Sequence, residues 1–269
     1  MLDHLASVLI ENRWDIKATV RSIVTSETYR QAVVLTSERA ELDPYNDFAA
    51  AQSGHRLPAE TVRDSVLEIS GLLDHRVGGR SVRPYQPAGY YRHLNFPQRR
   101  YQADTGAMQW RRGVYTHWQR QFLQPMLKAL DAPSREECTA TRPRSNTPLE
   151  ALALLNDPTF VTAAKAFAAR ILRKTATPTE PNQLTQARLA TAMRLAIGRR
   201  PDSTELEVLS QLLERELARY KQESSARAEF LAAGDLGLGW PNDVSDVERA
   251  AWSSVARAIL NLHETLYRP

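Results

Sequence analysis

A cluster of arginines in the middle of the chain is the part of the sequence best suited to chemistry. Six arginines fall within 34 residues. The candidate binding residues are Arg111, Arg112, Tyr115, Trp118, Arg120, Asp131, Arg135, Arg142, Arg144 and Asn146. Arginine forms planar, bidentate contacts with carboxylate, phosphate or sulfate groups. Two interpretations stay open: a pocket for an anion, or an internal lattice of ion pairs in which Asp131 and Glu136 hold the arginines.

The segment from His75 to Arg120 carries most of the positive charge. Nine arginines and one acidic residue, Asp104, give it a local charge of +8, whereas the whole chain has a net charge of +4. Such a concentration of positive charge destabilises the folded chain through repulsion unless negative charges neutralise it. Either an anionic polymer binds this segment, with an affinity that falls as salt rises, or carboxylates fold back onto it. The candidate carboxylates are Asp64, Asp131, Glu136 and Glu137.

Signals for catalysis and for cofactors are weak. The six histidines include no pair at the i, i+4 spacing of a helical zinc site, and the one cysteine allows no cysteine-rich metal site. We therefore expect no metal and no cofactor in this chain, and we expect Cys138 to be a small buried residue. Trp110 and Trp118 suit either sugar stacking or the core. Carboxylates for glycoside hydrolysis could come from Glu60, Asp64, Asp104 or Asp131, with no pair singled out.

Apolar residues recur every three or four positions along most of the chain, which predicts an all-α fold. Prolines and glycines interrupt this pattern between about residues 76 and 112. We predict a long arginine- and tyrosine-rich loop there, the excursion, with at most a short β-hairpin. The Pro/Thr-rich stretch 174–183 predicts a linker between helical parts 1–173 and 184–269, packed as one domain. No apolar run is long enough to span a membrane.

The ends of several helices are also predicted. Leu2 to Val24 carry a stripe typical of a one-sided buried face, and the helix that follows Pro58 is expected to end near Gly78. The clearest start is Thr147-Pro148-Leu149-Glu150, where a hydroxyl N-cap, a first-turn proline and a glutamate combine as a capping box. Asp157 is expected to open the next helix.

Three long motifs carry a resemblance to a known family. They are RRGVYTHWQR at 111–120, LDAPSREEC at 130–138 and RPRSNTPLEAL at 142–152, with shorter matching pieces at 26–31, 57–64, 70–72, 78–82, 154–158 and 197–201. Together they resemble the C-terminal domain of unknown function of large exported planctomycete proteins, whose N-terminal region often carries a c-type cytochrome module. Two positions depart from the usual pattern: Glu150 stands in place of a glutamine and His263 in place of an aspartate.

The resemblance implies export to the periplasm or cell surface and a setting linked with polysaccharide breakdown, but no particular reaction. It also implies that an upstream haem-containing region is a partner that this chain lacks. From the sequence we expect no signal peptide in the chain itself. We therefore expect an isolated domain or a truncated product, in which residues before about 30 leave an apolar patch partly uncovered.

The leading interpretation is an accessory binding domain that presents arginines and tyrosines to an anionic glycan or to a partner domain. The alternative is a polysaccharide-active enzyme that uses a carboxylate acid/base with arginines as substrate clamps. Nucleic-acid binding rests only on the basic charge balance and is the weakest interpretation, since no recognised motif accompanies it.

Overall fold

The computed structural model describes residues 1–32, 37–49, 51–52, 54–92, 100–119, 122–174, 181–233 and 239–268. Twelve α-helices and two strands of two residues each occur in these ranges, so the all-α prediction is confirmed. Contacts divide the chain into one unit of Met1–Arg56 with the C-terminal residues from Tyr267, and a larger unit of Leu57–Leu266. Among the described helices, none is long and apolar enough to cross a bilayer.

The smaller unit contains three helices and a short antiparallel strand pair. Its elements are α1 (Leu2–Glu11), α2 (Ile16–Thr25), α3 (Ser37–Leu42), β1 (His55–Arg56) and β2 (Tyr267–Arg268). In the pair, His55 lies opposite Arg268. Strand structure was expected only as a hairpin within 76–112, so its location differs from the prediction. In the described part of that segment, the backbone instead makes single bridges, for example between Asp74 and Arg111.

The apolar stripe of α1 and α2 is not buried. Neither helix has a buried residue, and Leu2 and Ile16 remain 80% and 70% exposed. The expectation of a one-sided buried stripe is therefore wrong, whereas the expectation of an uncovered apolar patch is confirmed. Asp15 fixes the start of α2, because its carboxylate accepts a hydrogen bond of 3.0 Å from the amide of Ala18.

This exposed face predicts self-association of the chain. Apolar patches of this kind favour contact with a second copy, since burying them removes apolar surface from water. We expect the weight-average mass in sedimentation equilibrium to rise with protein concentration. The double variant Ile16→Lys/Val20→Lys should suppress that rise, whereas Ser22→Lys on the same helix should not. A wild-type chain that stays monomeric at high concentration contradicts the prediction.

The larger unit is built around one long helix. Its helices are α4 (Ala59–Ser70), α5 (Pro125–Ala129), α6 (Pro148–Asn156), α7 (Pro158–Lys174), α8 (Pro181–Ile197), α9 (Ser203–Gln222), α10 (Ser224–Ala232), α11 (Asp246–Leu260) and α12 (His263–Leu266). Helix α7 packs against α4 and α11, and α11 also packs against α9. Phe167 and Ile171 of α7 are completely buried, each contributing about 1.5–3 kcal/mol of hydrophobic stabilisation.

Helices from both sides of the predicted linker thus share one core. Residues 175–180 of that linker lie outside the described residues, and the division into parts 1–173 and 184–269 stays a prediction. The end of α4 differs from its prediction. The helix stops at Ser70 because Gly71 adopts a left-handed conformation with φ of 79°, well before Gly78.

The predicted helix starts are confirmed, although at α6 only the Thr147 half of the predicted capping box forms among the described residues. Thr147 begins α6, and its hydroxyl accepts a hydrogen bond of 3.4 Å from the amide of Glu150, whose side chain is buried. The carboxylate of Asp157 accepts from the amide of Thr159 at the start of α7. Complete reciprocal capping boxes occur at the starts of α9 and α11.

Removing the cap of α6 should weaken the fold measurably. We expect Thr147→Ala to lower the free energy of unfolding by about 1 kcal/mol, because the Glu150 amide loses its acceptor. Thermal melts of the two proteins measure this. Thr105→Ala is the matched control, since Thr105 is exposed and its side chain caps nothing. Equal midpoints for the wild type and the Thr147 variant remove the capping interpretation.

Candidate functional site

Helix α4 gathers three of the candidate arginines through two carboxylates. Glu60 and Asp64 lie one turn apart, which places them on the same face, and each side chain is 17% exposed. The Glu60 carboxylate lies 2.9 Å from Arg142 Nη1 and 3.9 Å from Arg135 Nη2. The Asp64 carboxylate lies 3.5 Å from Arg112 Nε. An ion-pair lattice therefore exists among the family motifs.

The acids of this lattice are only partly the ones predicted: Asp64 was expected to pair with arginines, whereas Glu60 was not. Asp131 does not hold an arginine; one of its carboxylate oxygens accepts from the amide and hydroxyl of Ser145 at 2.5 and 2.6 Å. Glu136 is exposed. Asp131 has a left-handed backbone, with φ of 63°, and its bonds to Ser145 link two positions that are 14 residues apart.

Arg111 binds the backbone of the excursion and not an outside anion. It is 3% exposed, and its guanidinium donates to the carbonyl oxygens of Arg76, Gly78 and Arg80 at 3.0, 2.5 and 3.2 Å. The same group lies 4.0 Å from the ring centroid of Tyr115. The hydroxyl of Tyr115 accepts a hydrogen bond of 2.7 Å from the Gly78 amide. These two candidates therefore serve as a structural clamp.

Trp118 and Arg135 form a stacked pair. The Arg135 guanidinium lies 3.8 Å from the Trp118 ring centroid, which is a favourable cation–π distance. The indole Nε1 donates to the carbonyl oxygen of Ser134 at 3.2 Å. Since both side chains remain partly exposed, this pair forms part of the surface around Glu60.

The remaining candidates make no such contacts. Arg144 and Asn146 are exposed, and neither forms a hydrogen bond or ion pair with any described residue. Arg120 lies outside the described residues. Cys138 was expected to be buried but is exposed, and it lies in a segment without helix or strand.

Asp64 occupies the most constrained electrostatic position. Its Oδ1 accepts a hydrogen bond of 2.6 Å from the Gly113 amide and lies 3.7 Å from Arg63 Nη1. Burial raises the pKa of Asp64, against the opposing effects of the Gly113 amide, Arg63 and Arg112. A buried acid with a perturbed pKa is a candidate for chemistry, although structural lattices produce the same effect.

Part of the charge of the excursion is neutralised internally. Arg76 forms a bidentate pair with Asp74, with a shortest distance of 2.6 Å. Arg80 lies 2.9 Å from Asp104, and Arg112 is paired with Asp64 as described above. Of the four carboxylates expected to fold back, Asp64 does so.

Three exposed arginines of the excursion form no ion pair. The guanidinium groups of Arg83, Arg92 and Arg100 pair with no carboxylate within the ranges that the structure describes, although the backbone amide of Arg83 donates to Asp104 at 2.7 Å. Arg99 and Arg120 lie outside those ranges. Arg83, Arg92 and Arg100 did not belong to the predicted site. The signal that could have identified them was that Asp104 is the one acidic residue of their segment, from His75 to Arg120.

A cluster of aromatic rings accompanies these arginines. Tyr91 packs edge-on against Tyr101 and Phe122, with centroid distances of 5.5 and 5.7 Å. Tyr90 contacts Phe122 at 5.9 Å in the same manner. Such edge-to-face contacts fix the rings relative to one another.

In the described residues no group of three or more histidine, cysteine or acidic side chains could hold a metal ion.

Comparison with known proteins gives one match. No curated protein and no solved structure shows significant similarity to the chain. Residues 1–213 match a family described as "PSD1: Protein of unknown function (DUF1553)". The match covers the smaller unit up to Arg56, the arginine motifs and the helices as far as most of α9. Since it spans well over half of the 269 residues, the chain belongs to this PSD1 family of unknown function.

Proposed function

We propose that this chain is a binding module without catalytic activity of its own, and that it recognises an anionic polysaccharide. The observation that carries the proposal is the set of exposed arginine side chains that form no ion pair with the described residues, led by Arg92 and Arg100 and joined by Arg83. Unpaired like charges repel one another, and a polymer of uronic acids or sulfated sugars relieves that repulsion. Guanidinium groups match the planar geometry of carboxylate and the oxygens of sulfate.

The aromatic cluster supports a sugar polymer over other polyanions. Tyrosine rings offer apolar faces that suit the C–H surfaces of a pyranose. The internal neutralisation of Arg76, Arg80 and Arg112 leaves the remaining positive charge next to these rings. The proposed ligand therefore meets a defined area of the excursion and not the arginine motifs around Glu60.

We place this module in an exported, redox-linked planctomycete protein, where it would be an accessory domain beside a haem-containing region. The resemblance of the motifs supports that setting. The exposed apolar face of α1 and α2 is consistent with an accessory role, because such faces mark surfaces that contact other protein. An anionic neighbouring domain is the other partner that the arginines and tyrosines of the excursion suit.

Binding to glycans tests the proposal directly. Isothermal calorimetry should compare heparin, polygalacturonate and neutral dextran at 50 and 300 mM salt. We expect binding to both anionic polymers and a marked loss at high salt, since the Debye length falls from roughly 14 to 6 Å over that range. Equal affinity for dextran and the anionic polymers at low salt overturns the proposal.

Matched arginine variants locate the binding surface. We expect Arg92→Gln/Arg100→Gln to weaken heparin binding by at least about a hundredfold, since two contacts with charged groups contribute about 1.5–3 kcal/mol each. The control is Arg76→Gln/Arg80→Gln, which removes the same charge from arginines already paired with Asp74 and Asp104. If the control variant loses as much affinity, overall charge and not this surface determines binding.

A second candidate is the polysaccharide-active enzyme. It is favoured by Glu60 and Asp64, two carboxylates on one face of α4 with arginines beside each. In that case one of the two carboxyl groups would protonate the leaving oxygen, and the other carboxylate would take a proton from the water that attacks the anomeric carbon. Arg112 and Arg135 would hold the acidic substrate. Release of reducing ends from polygalacturonate that is abolished by both Glu60→Gln and Asp64→Asn favours the enzyme. Binding without any such release favours the module.

A further inference from the structure

A cleft opens beside the aromatic cluster. It has a volume of about 480 Å³, within the range of small-molecule sites, which runs from about 300 to 1,000 Å³. The residues that matter for its chemistry are Gln86, Tyr90, Tyr91, Arg92, Arg100 and Tyr101. The cleft therefore combines two of the unpaired arginines with three rings and one amide.

The rings lining the cleft are held from behind. The Tyr90 hydroxyl donates to the carbonyl oxygen of Leu123 at 2.9 Å, and the Tyr101 hydroxyl donates to that of Pro84 at 2.5 Å. Burial raises the pKa of both phenols, so they remain neutral donors. Because these hydroxyl protons are already engaged, Tyr90 and Tyr101 offer the cleft mainly ring carbon.

Gln86 is the unusual residue in this cleft. It is 9% exposed, yet its amide forms no hydrogen bond with the part of the chain that the structure describes. The oxygen and nitrogen of this side-chain amide are not among the fully buried atoms without partners, so both are open to the cleft and available to a ligand. An amide that is both donor and acceptor matches a sugar hydroxyl, which is also both.

We propose that this cleft is a subsite for a single acidic pyranose residue, an inference that rests on the proposed function. The Gln86 amide exchanges hydrogen bonds with ring hydroxyls. Arg92 and Arg100 bind the carboxylate or sulfate of the same residue. The tyrosine rings pack against its C–H face. Polymer binding through charge and recognition of one sugar residue are thus separate properties, and Gln86 belongs only to the second.

Short ligands distinguish the two properties. Calorimetry should use a digalacturonate, a sulfated disaccharide and a neutral disaccharide, together with polygalacturonate and heparin. We expect the acidic disaccharides to bind and the neutral one to bind at least about tenfold more weakly, because it lacks the charged contacts. The two acidic disaccharides together show whether the subsite prefers carboxylate or sulfate.

Substitution of Gln86 is the decisive test. We expect Gln86→Leu to weaken disaccharide binding by about tenfold, because the ligand hydroxyls lose their partners, and to weaken polymer binding less, since the polymer keeps its charged contacts along the excursion. Gln102→Leu is the control, since Gln102 is exposed and does not line the cleft. In the wild-type protein, the disaccharide should also shift the side-chain amide resonance of Gln86 in NMR spectra, which does not depend on how the variants fold.

The outcomes separate the two proposals. If the polymers bind with strong salt dependence but neither Gln86→Leu nor the amide resonance responds, the subsite is wrong and the binding module stands. If no anionic polymer binds, both are wrong. A nucleoside monophosphate that binds more tightly than either acidic disaccharide overturns the assignment to a sugar.

Discussion

Replacing Arg63 with methionine is expected to lower the free energy of unfolding by about 3 kcal/mol or more. Arg63 lies on α4 and is completely buried. Its two Nη atoms each donate a hydrogen bond of 2.6 Å, one to the carbonyl oxygen of Arg111 and the other to that of Gln109. The side chain thus ties the start of the arginine motif to the helix that carries Glu60 and Asp64.

The size of this effect follows from what the substitution leaves behind. Burial lowers the pKa of Arg63 to about 10, and Asp64 partly compensates its charge at 3.7 Å. Methionine fills much of the volume but leaves two buried carbonyl groups without donors and the Asp64 carboxylate with one fewer cation. Each buried hydrogen-bonding group that loses its partner costs about 1–3 kcal/mol. Urea unfolding of the two proteins measures the difference.

Arg170→Met is the matched control. Arg170 also donates to two carbonyl oxygens, those of Glu68 and Ile69 at the end of α4, but it is only partly buried. Because water can replace those bonds, we expect a loss of about 1 kcal/mol. Equal losses for the two variants show that Arg63 has no special role in holding the motif.

The helices were predictable because their signals are local. The caps at Thr147 and Asp157 each involve residues within three positions of one another, and both lie at helix starts. The end of α4 was predicted at the wrong residue because the prediction relied on local signals alone. Several glycines follow that helix, and only the backbone conformation of Gly71 decides which of them terminates it.

The site was predictable only in its residue types. Glu60 and Arg142 are 82 positions apart, and Arg63 and Arg111 are 48 apart. No periodicity links such pairs, so the sequence allowed Asp131 and Glu136 as partners equally well. The i, i+4 spacing of Glu60 and Asp64 on a predicted helix was the available sign that two acids share a face. Gln86 gave no sign at all, since its lack of partners is a property of the fold.

Substituting Gly113 with alanine is expected to cost about 2 kcal/mol of stability, because the added methyl group overpacks a backbone contact. Gly113 begins the short 3-10 turn Gly113–Tyr115, which packs on α4. A Cβ atom at position 113 would lie 3.0 Å from the Cβ of Glu60 and 3.1 Å from its Cα and carbonyl oxygen. These atoms belong to a helix and cannot move aside separately, so the turn must move away.

That displacement has a specific signature at Asp64. The amide of residue 113 donates to Asp64 Oδ1 at 2.6 Å, and moving the turn lengthens this bond. We therefore expect faster hydrogen exchange at that amide in Gly113→Ala, together with a lower urea midpoint. Val114→Ala serves as the control, because Val114 is 64% exposed and its truncation should change stability by no more than about 0.5 kcal/mol. Unchanged exchange at position 113 shows that the turn tolerates a methyl group, and that glycine is not needed for the Arg112–Asp64 pair to form.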